Sequence, residues 1–180
     1  MSLTSHIRLM AHYNEWMNAK LYAAAATLTA QQLAENRGAF FGSLLGTMNH
    51  IVVADTIWLT RFLTHPAAWA ELEAVRALPQ PAALDQLLYG DLPALHGARC
   101  ELDAIIVRWA GALRESELDH VLHYANSKGV VSDKLFHSLV MHFFNHQTHH
   151  RGQATTLLSQ AGADIGSTDL LGVIPNQRAP

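Results

Sequence analysis

Four histidines crowd one stretch of twelve residues, His142-Phe-Phe-Asn-His146-Gln-Thr-His149-His150-Arg-Gly-Gln153. His142, His146 and His150 recur at every fourth position. On an α-helix, residues four apart lie about 5–6 Å from one another on one face. Two imidazoles at that spacing can converge on one metal ion. The whole chain has 12 histidines in 180 residues, so a third of them fall here. His142 and His150 would stand about 12 Å apart along a helix axis, too far to bind one ion directly. The ligand pair is therefore His142/His146 or His146/His150, and spacing does not choose between them.

A pair needs at least one more ligand from elsewhere. His50 is the best candidate, because it lies among apolar residues in Met48-Asn-His50-Ile-Val-Val-Ala-Asp55. A helix there can present it inward beside Ala54 and Ile57. Asp55 stands five positions on, about 140° around the helix, and makes a poor co-ligand. His6, His12, His65, His96, His120, His123 and His137 read as surface or hydrogen-bonded side chains. Cys100 is the lone cysteine and reads as a small core residue rather than a nucleophile. Arg151 suits a carboxylate on a neighbouring helix, or an anionic group. Gly152 in mid-helix costs about 1 kcal/mol against Ala, which points to close helix packing there. Gln153 suits a hydrogen bond to a ligand or a buried amide bond. Trp16, Trp58 and Tyr13 read as core packing, with a pocket wall as the alternative.

Four long helical segments must position these residues. Apolar residues at three- and four-residue spacing mark the first, at about 3–28, followed by a connector at about 29–39. The second covers about 43–63 and ends at His65-Pro66, because a residue before proline disfavours the α region. Residues 66–81 read as a loop or short helical turn. The third covers about 82–113, with Pro93 expected to kink or split it. Residues 116–131 are irregular, with a turn signal at Asn126-Ser-Lys-Gly129 and room for a short hairpin. Ser132-Asp133 can cap the fourth helix, about 133–160, and Gly162 suits its end. The tail, 163–180, is expected to pack as extended chain or to fray. The expectation is an all-α single domain spanning 1–180, a four-helix bundle whose long connectors allow crossovers.

Composition narrows the function classes. The chain is 49% hydrophobic and only 15% charged, with net charge −3. No basic cluster supports phosphate-driven nucleic-acid binding. A single cysteine excludes an internal disulfide and fits a reducing compartment. The first residues lack the features of a secretory signal, and no apolar run approaches the roughly 18–20 residues of a membrane span. These features predict a soluble cytoplasmic protein without nucleic-acid or membrane partners.

The sequence resembles the DinB/YfiT-like family of metal-binding four-helix proteins. His146-Gln-Thr-His-His150-Arg151-Gly152-Gln153 is similar to that family's His-x-x-x-His-Arg-Gly-Gln signature. His50-Ile-Val-Val-Ala-Asp55-Thr-Ile-Trp58-Leu-Thr-Arg61 is similar to its His…Asp…Trp…Arg pattern. Tyr13-Asn14-Glu-Trp16-Met-Asn18 and Thr168-Asp169-Leu170-Leu171 resemble its opening and its C-terminal segment. The resemblance implies a three-histidine site of His50, His146 and His150, a crossover bundle and a homodimer. For some members it implies S-transfer or isomerisation with a low-molecular-weight thiol such as bacillithiol, mycothiol or glutathione, and for others hydrolysis. Three imidazoles leave coordination positions open, as catalytic sites do, and suit Zn, Ni or Fe. The leading expectation is a thiol-dependent S-transferase acting on a small electrophile. The alternatives are a metal-dependent hydrolase, or a non-catalytic metal-binding, stress-response or dimerisation module.

Overall fold

The computed structural model describes residues 2–177. The fold is mainly helical, with one small two-stranded sheet. The helices are α1 (Leu3–Ala25), a short α2 (Ala30–Ala34), α3 (Leu44–Phe62), α4 (Leu92–Ala112) and α5 (Phe136–Gln160). The long helices α1 and α3 each pack against both α4 and α5.

Capping residues decide where these helices begin. The Ser2 and Ser43 hydroxyls accept from the Ser5 and Gly46 amides and start α1 and α3. Thr29 and Gln32 form a reciprocal capping box that turns part of the expected connector into α2. The third long helix differs from its expected span of 82–113. Asp91 accepts from the Ala94 amide at 2.9 Å, so α4 starts at Leu92 and residues 82–91 form loop. Pro93 lies in the first turn, where its missing N–H leaves no bond unmade, and it neither kinks nor splits the helix.

A second correction concerns α5. Ser132-Asp133 does not cap it, because both residues belong to a β-hairpin. Strand β1 (Val121–Ala125) pairs antiparallel with β2 (Val131–Leu135), and Tyr124 stands opposite Ser132. The Asn126–Gly129 turn closes it, with the Asn126 side chain accepting from the Lys128 and Val130 amides. β2 runs directly into α5. The amides of Phe136 and His137 donate to the carbonyls of His120 and Leu118 at 2.8 and 3.0 Å, so backbone replaces a side-chain cap.

Apolar faces of the long helices build the core, including Ile7, Leu21, Met48, Leu59, Trp109 and Phe143. A buried polar layer crosses it. Arg99 of α4 pairs with Asp55 of α3 at 2.5 Å and with Asp103 at 3.1 Å. Asn14 and Asn18 of α1 donate to Asp103, and Gln147 of α5 donates to Asp55 at 2.9 Å. Arg151 of α5 donates to the Asn14 side-chain oxygen and not to a carboxylate. Two arginines face two aspartates, so the layer is balanced in formal charge.

Two smaller expectations also fail. Cys100 is exposed on α4 and is not a core residue. Gly152 is exposed, and a Cβ there would meet nothing within 4 Å, so close packing does not explain it. It lies on a face of α5 turned to solvent. The tail lies along α1, where the Tyr13 hydroxyl donates to the Thr168 carbonyl at 2.7 Å.

Candidate metal centre

Two helices and two loops assemble the site. His50 projects from α3, and His146 and His150 project from consecutive turns of α5. Their Nε2 atoms meet: His146 lies 3.4 Å from His50 and 3.0 Å from His150. Metal–nitrogen bonds of about 2.0–2.1 Å at right or tetrahedral angles separate ligand nitrogens by about 2.9–3.4 Å. Among the described residues, these three form the group of potential ligands close enough to hold one ion.

The outer ring nitrogens fix which way the lone pairs point. His50 Nδ1 lies 2.7 Å from the Leu84 carbonyl, and His150 Nδ1 lies 2.8 Å from Gln153 Oε1. Both partners only accept, so both Nδ1 atoms carry the proton. A neutral imidazole has one N–H, and the inward Nε2 atoms of His50 and His150 are therefore bare lone pairs. Both lone pairs face His146 Nε2, so either a proton on that atom or a shared cation joins the three rings. That donor chemistry fits a divalent ion. His146 lacks an outer acceptor, its buried Nδ1 having no hydrogen-bond partner among the described residues.

Electrostatics keeps the three imidazoles neutral. Burial pushes all three imidazoles below their ordinary value. His146 falls furthest, to about 3, because His150 and His50 add like-charge repulsion to burial. No proton has to leave these groups near neutral pH before an ion binds.

Loops cover one side. The Phe41 ring stacks on His50 at a centroid distance of 3.8 Å and meets the edge of His150 at 5.6 Å. Neither Phe41 nor Leu84 was legible as part of the site, since only the folded path of their loops brings them in. His142 stays outside the cluster of three. Its ring lies 5.8 Å from His146 and packs edge-on against Trp58 at 5.1 Å. His149 is exposed and accepts from Gln153 Nε2 at 3.2 Å. Gln153 thus supports His150 directly. Trp58 is half-buried: it packs against the core beside Phe62, as expected, and its ring also fronts His142.

The curated "Protein DinB" of Bacillus subtilis (strain 168) is 22% identical over 162 residues, covering 87% of each chain. No solved structure shows significant similarity to the chain. No helix among the described residues is long and apolar enough to cross a membrane. The family model described as DinB family matches residues 1–178, and on that match the chain belongs to the DinB family.

Proposed function

We propose that this chain is a metal-dependent enzyme on a single-domain four-helix bundle with crossover connections. In this reading His50, His146 and His150 hold a divalent ion, Zn, Ni or Fe. The reaction is thiol-dependent S-transfer to a small electrophile. The observation that carries the reading is the meeting of three imidazole Nε2 atoms at 3.0 and 3.4 Å, two of them with their protons fixed on the far nitrogen.

An ion held by His50, His146 and His150 would supply a Lewis acid that favours the ionised form of a low-molecular-weight thiol. In the transfer, the thiol proton leaves to solvent and a sulfur–carbon bond forms. The leaving group of the electrophile departs with its bonding pair. The protein's own part is to hold the ligands. Leu84 and Gln153 set the His50 and His150 tautomers. Phe41 shields one side of the cluster from water. Cys100 is exposed on α4 and is not part of the three-histidine cluster, so this reading gives it no role. The reading carries with it a small-molecule substrate, a homodimer and a cytoplasmic location.

Elemental analysis of untagged protein tests the centre. About one ion per chain is expected in the wild type. It should be lost in His50→Ala, His146→Ala and His150→Ala and kept in His142→Ala. Metal that survives the His50 or His150 change sinks this ligand set. A metal-free wild type points to a structural role for the histidines. A loaded protein that transfers no thiol points to the non-catalytic module.

A further inference from the structure

Arg61 lies on α3 beyond the three histidines, and its guanidinium is held by aromatic rings. It stacks over Trp58 at 4.6 Å and faces Tyr124 of β1 at 5.3 Å. Among the described residues it makes no ion pair and no side-chain hydrogen bond. The hairpin supplies no counter-ion from its cross-strand acid. Asp133 bonds His123 at 2.8 Å, and successive strand residues point to opposite faces, so that pair turns away from Tyr124. The two rings attract the half-buried guanidinium through their faces but leave its N–H donors without an acceptor among the described residues. An anion placed there meets those donors and gains a bidentate partner.

A run of side-chain contacts links the three histidines to this cation. Phe41 closes the His50 and His150 side. His146 is the least buried of the three, and its neighbour His142 is exposed. The contacts run from His146 to His142 at 5.8 Å, from His142 to Trp58 at 5.1 Å and from Trp58 to Arg61 at 4.6 Å. The guanidinium leans back level with Trp58, eight residues from His50, or about 12 Å of helix rise. Allowing for the metal–sulfur bond, a sulfur at the centre and an anion at Arg61 are about 10 Å apart, the reach of about three extended residues.

We propose that the thiol used at this centre carries a carboxylate, and that Arg61, backed by Trp58 and Tyr124, binds it. The ligand class is an anionic thiol of small-peptide length, longer than a single amino acid. This inference rests on the thiol reading given above. It adds Arg61 as the residue that selects among thiols.

Full-length protein loaded with Co2+ gives a direct readout, because sulfur binding adds a sulfur-to-metal charge-transfer band. The probes are mercaptopropionate, ω-mercaptooctanoate and the neutral alcohol of each. The long acid is expected to bind at least about tenfold tighter than its alcohol, while the short pair binds alike. Arg61→Met keeps the apolar stem over Trp58 and should abolish the preference. Arg61→Lys should restore part of it. Co2+ content and helical circular dichroism should match the wild type in both variants. Equal binding of the long acid and alcohol overturns the inference while leaving the thiol reading intact. A preference that persists in Arg61→Met also overturns it. No charge-transfer band with any thiol overturns the thiol reading, and this inference with it.

Discussion

Replacing Gln153 with Leu tests whether the hydrogen bond behind His150 shapes the metal site. Gln153 Oε1 accepts the His150 Nδ1 proton at 2.8 Å. Without that acceptor the proton can move to Nε2, where it blocks the lone pair needed by the ion. Loss of such an outer partner weakens metal binding by about 10–100-fold, or about 1.4–2.7 kcal/mol. The metal-free protein should be nearly unaffected, because Gln153 is only half-buried and its other bond goes to the exposed His149. Surface changes of that kind usually stay within about 0.5 kcal/mol. Two assays separate the effects: competition with a chromogenic chelator for Zn2+, and thermal unfolding of the metal-free protein. Gln153→Glu retains an acceptor and should bind at least as tightly as the wild type. Unchanged affinity in Gln153→Leu, while His150→Ala abolishes binding, would refute the reasoning. So would equal losses in the Leu and Glu variants.

Three further outcomes follow from the same geometry. The folded-state pKa of His146 is about 3, against about 6.5 for an unfolded histidine, so the unfolded chain binds more protons below that value. Stability of the metal-free protein should be complete above about pH 6.5 and fall on acidification toward pH 3; thermal midpoints against pH should slope less in His146→Asn, and parallel slopes would exclude this cause. Phe41→Ala uncovers His50, so EDTA should strip the ion several-fold faster in stopped-flow measurements; an unchanged rate removes Phe41 as a shield. Asp55→Ala leaves the buried Arg99 short of a partner at an expected cost of about 3 kcal/mol. That loss lowers the thermal midpoint by about 6–12 °C in a chain of this size, and a change below 2 °C, roughly what a surface substitution produces, would mean that solvent reaches Arg99.

The sequence disclosed the clustered histidines better than their surroundings. His146 and His150 were readable because four-residue spacing on one helix is local geometry. Their competitor His142 was not separable by spacing. Each step of four overshoots a helical turn by about 40°, so His142 and His150 diverge by about 80°, and only the placement of α3 decides which side meets His50. That placement directs His142 to Trp58. Leu84 and Phe41 carry no signal at all, since a carbonyl is common to every residue and one loop aromatic resembles another. Helix starts went astray where two local signals competed. Asp91 overrode Pro93 by capping ahead of it, and the hairpin absorbed Ser132-Asp133 because the carbonyls of Leu118 and His120 were available to α5.

His50 and His146 are 96 positions apart, with α4 and the hairpin between them. An ion shared by these residues therefore clasps a loop of just over half the chain. Folding has already brought the ends of that loop together. An unfolded chain must close it anew, at an entropic cost of about 4–5 kcal/mol, or about three powers of ten in affinity. The ion thus distinguishes native from unfolded protein by its grip alone. Its release on heating should coincide with the melting of the helices, so metal retention reports on the integrity of the whole molecule.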